Sequence, residues 1–93
     1  MKKYVKKPIP IDAWQIDLLE LQPHIDGAYP DWVGHAFREG ILEPYFATNM
    51  LSVYTPEGKM KASQGDFLVR GPVGEFYSIK KNIFELTYDE VDV

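Results

Sequence analysis

Two closely spaced turn motifs constrain the fold of this chain more than any other feature of its sequence. Residues 51–55 are rich in β-branched and aromatic side chains, and they are followed by Pro56, Glu57 and Gly58. Proline presets φ for the first central position of a turn, and glycine accepts the left-handed conformation that ends it. This order predicts a β-hairpin whose return strand covers residues 59–62.

The second turn motif belongs to another hairpin that follows immediately. A Gln-Gly-Asp sequence at 64–66 precedes an apolar run at 67–70, and Gly-Pro-Val-Gly at 71–74 reverses the chain into a strand at 75–79. Asp66 stands at a strand entrance, where its carboxylate is expected to accept hydrogen bonds from nearby backbone amides. A structural role for Asp66 is therefore favoured over a catalytic one.

The clearest helix signal covers residues 30–39. Pro30 suits the first turn of a helix, and Asp31 places negative charge at the positive end of the helix dipole. Gly40 can adopt the left-handed conformation just beyond the last turn. The helix carries one apolar stripe that we expect to pack on a sheet, formed by Trp32, Val33, Ala36 and Phe37.

The other segments carry weaker signals. Residues 4–16 look extended, although two prolines restrict them to a sheet edge or to the entry of a strand. A short helix capped by Asp17 is expected at 17–22, and a loop at 24–29. Residues 41–48 are expected to form a connection, and it carries two aromatic side chains predicted to point inward, Tyr45 and Phe46.

The last part of the chain fits both a helical and an alternating pattern. We expect a short helical turn at 80–84, followed by an edge strand that ends near Val91. Together the elements predict a single α+β domain over residues 1–93. Its sheet is expected to be a bent antiparallel sheet or a small open β-barrel of five to six strands, with the main helix at 30–39 packed on it.

Composition restricts the compartment and the partners. The 93 residues are 45% hydrophobic and 26% charged, which is ordinary for a soluble globular domain. The absence of cysteine excludes disulfide and cysteine-based redox chemistry and fits a reducing compartment. No apolar run approaches the roughly 20 residues that span a bilayer, so we expect a cytoplasmic protein without a membrane partner. A net charge of −4 argues against nucleic acid as a binding partner, because phosphate binding needs clustered Lys and Arg.

Charge is nevertheless distributed unevenly along the chain. Lysines crowd the first seven residues, and acidic residues crowd the last nine. We interpret both groups as solvated chain ends, with a basic arm that touches an acidic partner or a nucleic acid as the alternative. The residues concerned are Lys2, Lys3, Lys6 and Lys7, and Glu85, Asp89, Glu90 and Asp92.

No catalytic or metal-binding pattern emerges from the sequence. His24 and His35 are eleven positions apart and have no carboxylate at a recognisable metal spacing, so no metal site is expected. The serines lack a nucleophile-elbow pattern and an obvious base. The Gly-Pro-Val-Gly sequence at 71–74 lacks the Lys-Ser/Thr of a phosphate loop and fits a hairpin turn better. We therefore expect no cofactor and no enzymatic activity.

A ligand site can be built only from aromatic residues that remain exposed near cations. Such a pair can stack on a base or another flat ligand while the cation meets a phosphate. The candidate ligand-binding residues are Tyr54, Arg70, Tyr77, Lys80 and Lys81.

Three motifs in the second half of the chain form a specific signature. They are Gly-Asp-Phe-Leu-Val-Arg-Gly at 65–71, Gly-Glu-Phe-Tyr at 74–77 and Ile-Phe-Glu-Leu-Thr-Tyr at 83–88. The signature resembles that of a widespread group of small phage and prophage proteins, which reads Gly-Asp-aromatic-Ile-Ile-Arg/Lys-Gly, Gly-Glu-aromatic-Tyr and Ile-Phe-Glu-x-Thr-Tyr. Residues 4–15 are also similar to the opening of that group, so the resemblance covers nearly the whole chain.

The resemblance implies a phage- or prophage-encoded accessory protein and lends no catalytic residue. Cysteine is frequent in the group where this chain has Ser78, and Lys-Pro-Asp is replaced by Lys-Lys-Asn at 80–82. Two function classes follow as expectations. The first is a non-catalytic module that binds a host or phage macromolecule. The second is a small-ligand binder, for example one that sequesters a nucleotide signal of antiviral defence, and a homo-oligomer is compatible with either class.

Overall fold

The computed structural model describes residues 1–21 and 29–91, and it confirms the predicted α+β class. In this part of the chain, six antiparallel strands form two three-stranded sheets, and neither sheet closes into a barrel. The predicted loop at 24–29 falls almost entirely outside the described residues, and so does His24. In chain order the elements are β1 Asp12–Gln15, a 3₁₀ turn Leu18–Leu21, α1 Asp31–Arg38, β2 Leu42–Tyr45, a 3₁₀ turn Phe46–Thr48, β3 Met50–Thr55, β4 Gly58–Ser63, β5 Phe67–Arg70, β6 Phe76–Ile79 and α2 Lys81–Thr87.

Both predicted hairpins are confirmed. The first joins β3 to β4, with Thr55 opposite Gly58 and a two-residue loop between them. The second joins β5 to β6 through a five-residue loop at 71–75, in which Gly74 has φ +86°. A residue in this left-handed region after a tight turn is a common way to close a three- to five-residue hairpin loop. β1 then pairs with β5 and completes one sheet in the order β1-β5-β6, while β2 pairs with β3 in the order β2-β3-β4.

The core lies where one face of each sheet meets α1. Val33 and Ala36 of α1 are fully buried, and Trp32 and Phe37 are partly buried against the same cluster, as the apolar stripe predicts. β6 lies against β3 and β4 and so holds the two sheets together. The buried cluster consists of Trp14, Ile16, Leu18, Leu21, Val33, Ala36, Leu42, Leu51, Val53, Ala62 and Leu68.

The turn at 63–66 connects elements from both sheets. Asp66 donates its backbone N–H to the Ser63 carbonyl at 3.0 Å, and its side-chain Oδ2 accepts from the Ser63 N–H at 3.0 Å. The other carboxylate oxygen accepts from the N–H of Lys81 at 3.1 Å. Lys81 is the first residue of α2, so Asp66 caps that helix from a distant part of the chain. The predicted hydrogen bonding of Asp66 to backbone amides is confirmed.

The edge strand predicted after residue 84 is wrong. The helix continues to Thr87, and residues 88–91, the last that the structure describes, form no strand. Phe84 stacks on Phe67 of β5 with ring centroids 3.9 Å apart, and Tyr88 stacks on Phe84 at 4.9 Å. Side chains four positions apart share one helix face, so this packing favours a helix where the local alternation resembled a strand.

The segment at 41–48 is also different from the prediction. It contains β2, which pairs with β3 through Leu42 opposite Val53. Because side chains alternate along a strand, this register turns Leu42 into the core and Tyr45 outward. Tyr45 and Phe46 are each 44% exposed, so the prediction that both point inward is wrong.

The extended segment predicted at 4–16 contains only the four residues of β1. The prolines precede the strand, as expected for a residue that cannot donate a ladder hydrogen bond. Residues 1–10, which we call the arm, are all exposed and form no regular secondary structure. The short helix predicted at 17–22 appears as a 3₁₀ turn whose Leu19 N–H is held by Asp17 at 3.1 Å.

Candidate functional site

The candidate ligand residues lie in three separate parts of the fold. Arg70 is opposite Phe76 in the β5–β6 pair, so Tyr77, the next residue, points to the other face of that sheet. Tyr54 lies on the other sheet. Lys80 and Lys81 stand at the start of α2 and are exposed. The structure therefore does not bring these five residues together.

Two of the three candidate cations already have protein partners. Arg70 donates two hydrogen bonds to Asp12 Oδ2, at 3.1 Å from Nε and 2.6 Å from Nη2, and its guanidinium lies 5.3 Å from the Trp32 ring centroid. Lys81 Nζ is 2.6 Å from Glu85 Oε1, one helical turn further on. The contacts of Arg70 join β5 to β1 and α1, whereas the Lys81–Glu85 pair lies within α2.

Cations and aromatic rings do converge on the outer face of the β2-β3-β4 sheet. The core-facing side chains of β3 are Leu51 and Val53, so Met50, Ser52 and Tyr54 point outward. The register of the hairpin then fixes their neighbours, since directly opposed residues on one face lie about 5 Å apart. Lys61 stands opposite Ser52, Lys59 opposite Tyr54, Tyr45 opposite Met50, and Glu43 opposite Ser52.

These side chains surround a shallow depression, which we call the outer-sheet site. Its volume is about 400 Å³. This lies within the range of roughly 300–1,000 Å³ typical of small-molecule sites. Ser52 forms its floor and is only 1% exposed, whereas Tyr45 at the rim is 44% exposed. The lining residues are Tyr45, Thr48, Met50, Ser52, Lys59 and Lys61, and Tyr54 stands beside Lys59.

The outer-sheet site is positively charged. Within the described residues, no ion pair links Lys59 or Lys61 to a carboxylate. The carboxylate on this face belongs to Glu43, and it accepts a hydrogen bond from the Tyr45 hydroxyl. Lys59 Nζ lies 5.9 Å from the Tyr54 ring centroid, close to the limit for a cation–π contact. The arrangement offers two ammonium groups, two exposed phenol rings and the exposed Thr48 hydroxyl to one ligand.

Sequence reasoning found only Tyr54 among these residues. Lys59 and Lys61 could have been found by extending the predicted hairpin, because a two-residue loop at 56–57 alone places Lys59 opposite Tyr54 and Lys61 opposite Ser52. Tyr45 could not be found in this way. Its place at the rim depends on β2, a strand without a local signal in the sequence.

Tyr77 has an unusual environment on the face of the β1-β5-β6 sheet opposite to Arg70. Burial raises the pKa of Tyr77 to about 12, with smaller contributions in the same direction from Tyr88 and from the Glu75 carboxylate. The pKa of Tyr88 is lowered, chiefly by the hydrogen bond that Lys6 Nζ donates to its hydroxyl at 2.8 Å. The two rings therefore ionise in sequence, Tyr88 before Tyr77.

We expect one of the six tyrosines to ionise near pH 12. Because the native pKa of Tyr77 is above its unfolded value of about 10, its stabilising contribution is present below pH 10 and is lost between about pH 10 and 12. Ultraviolet titration of the phenolate absorbance measures this late component. The component should disappear in Tyr77→Phe and persist in the matched control Tyr54→Phe, and a late component that survives Tyr77→Phe contradicts the assignment.

Neither a metal site nor a membrane-spanning helix is found among the described residues. Within residues 1–21 and 29–91, no group of three or more His, Asp or Glu side chains is placed to hold a metal ion. His35 instead forms a surface contact with Glu39 at 3.0 Å. No helix in this part of the chain has the length and apolar character required to cross a membrane.

Comparison with models of protein families, with curated proteins and with solved structures found no match.

Proposed function

We propose that this protein is a non-catalytic binding protein whose outer-sheet site takes a small anionic ligand with a flat ring, such as a nucleotide. The observation that supports it most is the pair of lysines beside two exposed tyrosines around one depression. A phosphate can bridge the two ammonium groups through charge-assisted hydrogen bonds. A heterocyclic base can stack on a tyrosine ring at the rim, and such stacking contributes about 1–3 kcal/mol per base.

The resemblance to phage and prophage proteins supports a biological setting for this activity. In that setting the protein is an accessory protein in the cytoplasm of the host cell. A non-catalytic protein acts on a nucleotide by binding it, which lowers the concentration of free nucleotide. The ligands of such a protein include nucleotide signals of antiviral defence.

Binding of a host or phage macromolecule is the other candidate function. Protein interfaces generally have an apolar centre with a polar rim, whereas small-molecule sites are concave with a few convergent polar groups. The outer-sheet site has the second character. Exposed apolar side chains also occur on the arm at 1–10 and on α2.

Isothermal titration calorimetry with adenosine monophosphate, adenosine and inorganic phosphate tests the proposed site. Because both the rings and the lysines contribute, the nucleotide should bind at least about tenfold more tightly than adenosine or phosphate alone, a difference of 1.4 kcal/mol. Replacing Lys59 and Lys61 together by alanine should weaken nucleotide binding at least about tenfold. Tyr54→Ala should also weaken it, through lost stacking.

The matched control removes two other lysines. Lys80→Ala with Lys81→Ala makes the same change in net charge at the start of α2. This variant should keep nucleotide affinity and thermal stability close to wild type, because the Lys81–Glu85 pair is exposed. The proposal is wrong if no nucleotide binds, or if the Lys59/Lys61 and Lys80/Lys81 variants lose the same affinity. Collapse of the Lys80/Lys81 variant would show that these lysines are needed for folding.

A further inference from the structure

The two exposed rings of the outer-sheet site lie at opposite ends of it. Tyr54 of β3 is 43% exposed, and Tyr45 of β2 is 44% exposed. Tyr45 is opposite Met50, which precedes Tyr54 by four residues on β3. At about 3.4 Å per residue, the backbone positions of the two tyrosines are about 14 Å apart along the strands. Stacked rings have their centroids about 4.5–7 Å apart, so the two tyrosines provide separate stacking surfaces.

Positive charge lies between these two surfaces. Ser52 is two residues from Tyr54 and two residues from Met50, so it stands midway between the ends of the site, about 7 Å along the strand from each. Lys61 is opposite Ser52, and Lys59 is opposite Tyr54. A phosphate that contacts both ammonium groups therefore has one aromatic ring on either side of it along the sheet.

The negative charge of the site lies on its other side. Glu43 is opposite Ser52 on β2, so Glu43 and Lys61 are two strands apart, a distance of about 10 Å between backbones. Glu43 accepts a hydrogen bond from the Tyr45 hydroxyl, which directs the Tyr45 ring toward the middle of the site. Within the described residues, Glu43 forms no ion pair. Its charge repels a phosphate toward β4, while the two stacking rings lie on β2 and β3.

We infer that the outer-sheet site takes a dinucleotide, meaning two nucleosides joined through phosphate. This inference rests on the proposed function and specifies the class of its ligand. One base stacks on Tyr54, the other base stacks on Tyr45, and the phosphate that joins them is bound by Lys59 and Lys61. A mononucleotide occupies one end of the site and leaves the second ring uncovered.

Two matched probes isolate the contribution of the second base. Diadenosine diphosphate and ADP-ribose share one adenosine, a diphosphate and a second ribose, and they differ by the second adenine. Isothermal titration calorimetry should show at least about tenfold tighter binding of diadenosine diphosphate, because a second base stacks. Adenylyladenosine, compared with adenosine monophosphate, tests a phosphodiester link in the same way. The pair with the larger gain identifies the linkage.

Variants of Tyr45 test where the second base lies. Tyr45→Ala should remove the gain, so that diadenosine diphosphate and ADP-ribose bind with the same affinity. Tyr45→Phe keeps the ring and should keep most of the gain. A merely structural role of Tyr45 would weaken both ligands equally. The matched control is Tyr4→Ala, which removes a tyrosine that is 87% exposed on the arm and should leave both affinities unchanged.

Several results would overturn the inference. They are the absence of a gain in both pairs of probes, a gain that survives Tyr45→Ala, and a gain that is lost in Tyr4→Ala. The comparison of probes uses the wild-type protein, so it decides the question even if a variant unfolds. If adenosine monophosphate binds but the second adenine adds nothing, the proposed function stands and the dinucleotide inference is wrong. If no nucleotide binds, both are wrong.

Discussion

Replacing Asp66 by alanine is expected to lower the free energy of unfolding by about 3 kcal/mol. Each hydrogen bond from an amide to a carboxylate contributes roughly 1.5–3 kcal/mol, and this side chain is only partly buried. The Asp66 carboxylate accepts from the N–H of Ser63 at 3.0 Å and from the N–H of Lys81 at 3.1 Å. The first bond closes the turn between β4 and β5, and the second caps α2. Alanine leaves both amides without this acceptor and detaches α2 from the turn.

Thermal unfolding and amide hydrogen exchange measure the effect of Asp66→Ala. The melting temperature should fall by at least about 10 °C, because 1 kcal/mol corresponds to about 4–8 °C in a domain of this size. Exchange should accelerate most at the amides of Ser63 and Lys81. Asp66→Asn is the matched control, since its single carbonyl oxygen can keep one of the two bonds and should preserve about half of the lost stability. Equal melting temperatures for Asp66→Ala and the wild type would contradict this role.

Gly65→Val is expected to destabilise the protein by roughly 2–3 kcal/mol, because φ at this position is +90° and a β-branched side chain is strained there. A glycine with positive φ at the third position is typical of a type II turn. The backbone of Gly65 also holds β1, as its N–H donates to the Ile16 carbonyl at 2.9 Å and its own carbonyl accepts from Gln15 Nε2 at 3.1 Å. A shift of the backbone that relieved the strain would weaken both contacts.

The Gly65 prediction is checked by chemical denaturation. The midpoint should fall in Gly65→Val with little change in the denaturant slope, and Gly65→Asn should retain most of the stability because asparagine tolerates left-handed conformations. Gly74→Val should be destabilising for the same reason, since φ there is +86°. No atom lies within 4 Å of an added Cβ at either position, so a loss of stability reports backbone strain rather than a clash. A Gly65→Val variant as stable as Gly65→Asn would contradict the strain.

The sequence predicts residues 64–66 to be a break between two strands, but in the structure they also contact three other elements. Gln64 Oε1 accepts from the Leu18 N–H at 2.8 Å, and the Ile16 N–H donates to the Asp66 carbonyl at 2.8 Å. The same short turn thus positions β1, the 3₁₀ turn after it and α2. This explains why the two largest expected losses of stability fall on neighbouring residues.

The sequence by itself determined the elements that short-range stereochemistry controls. Turn residues that preset φ or accept positive φ located both hairpins, and the apolar stripe of α1 identified its buried face before any contact was known. The hydrogen bond from Ser63 to Asp66 was predictable for the same reason, since its partners are three residues apart. The charged residues near both ends of the chain were recognisable in the sequence, but their positions did not predict which residues they contact.

Only the tertiary structure decided which elements share a surface. The division of six strands into two sheets and the outward direction of Tyr45 depend on the pairing of β2 with β3, whose register is set by burial of Leu42 opposite Val53. The helix after residue 81 depends on stacking with Phe67 and on the distant Asp66 carboxylate. Arg70 forms an ion pair with Asp12, whereas Lys59 and Lys61 lie at the outer-sheet site. These neighbours are determined by strand pairing over long sequence distances and not by local propensity.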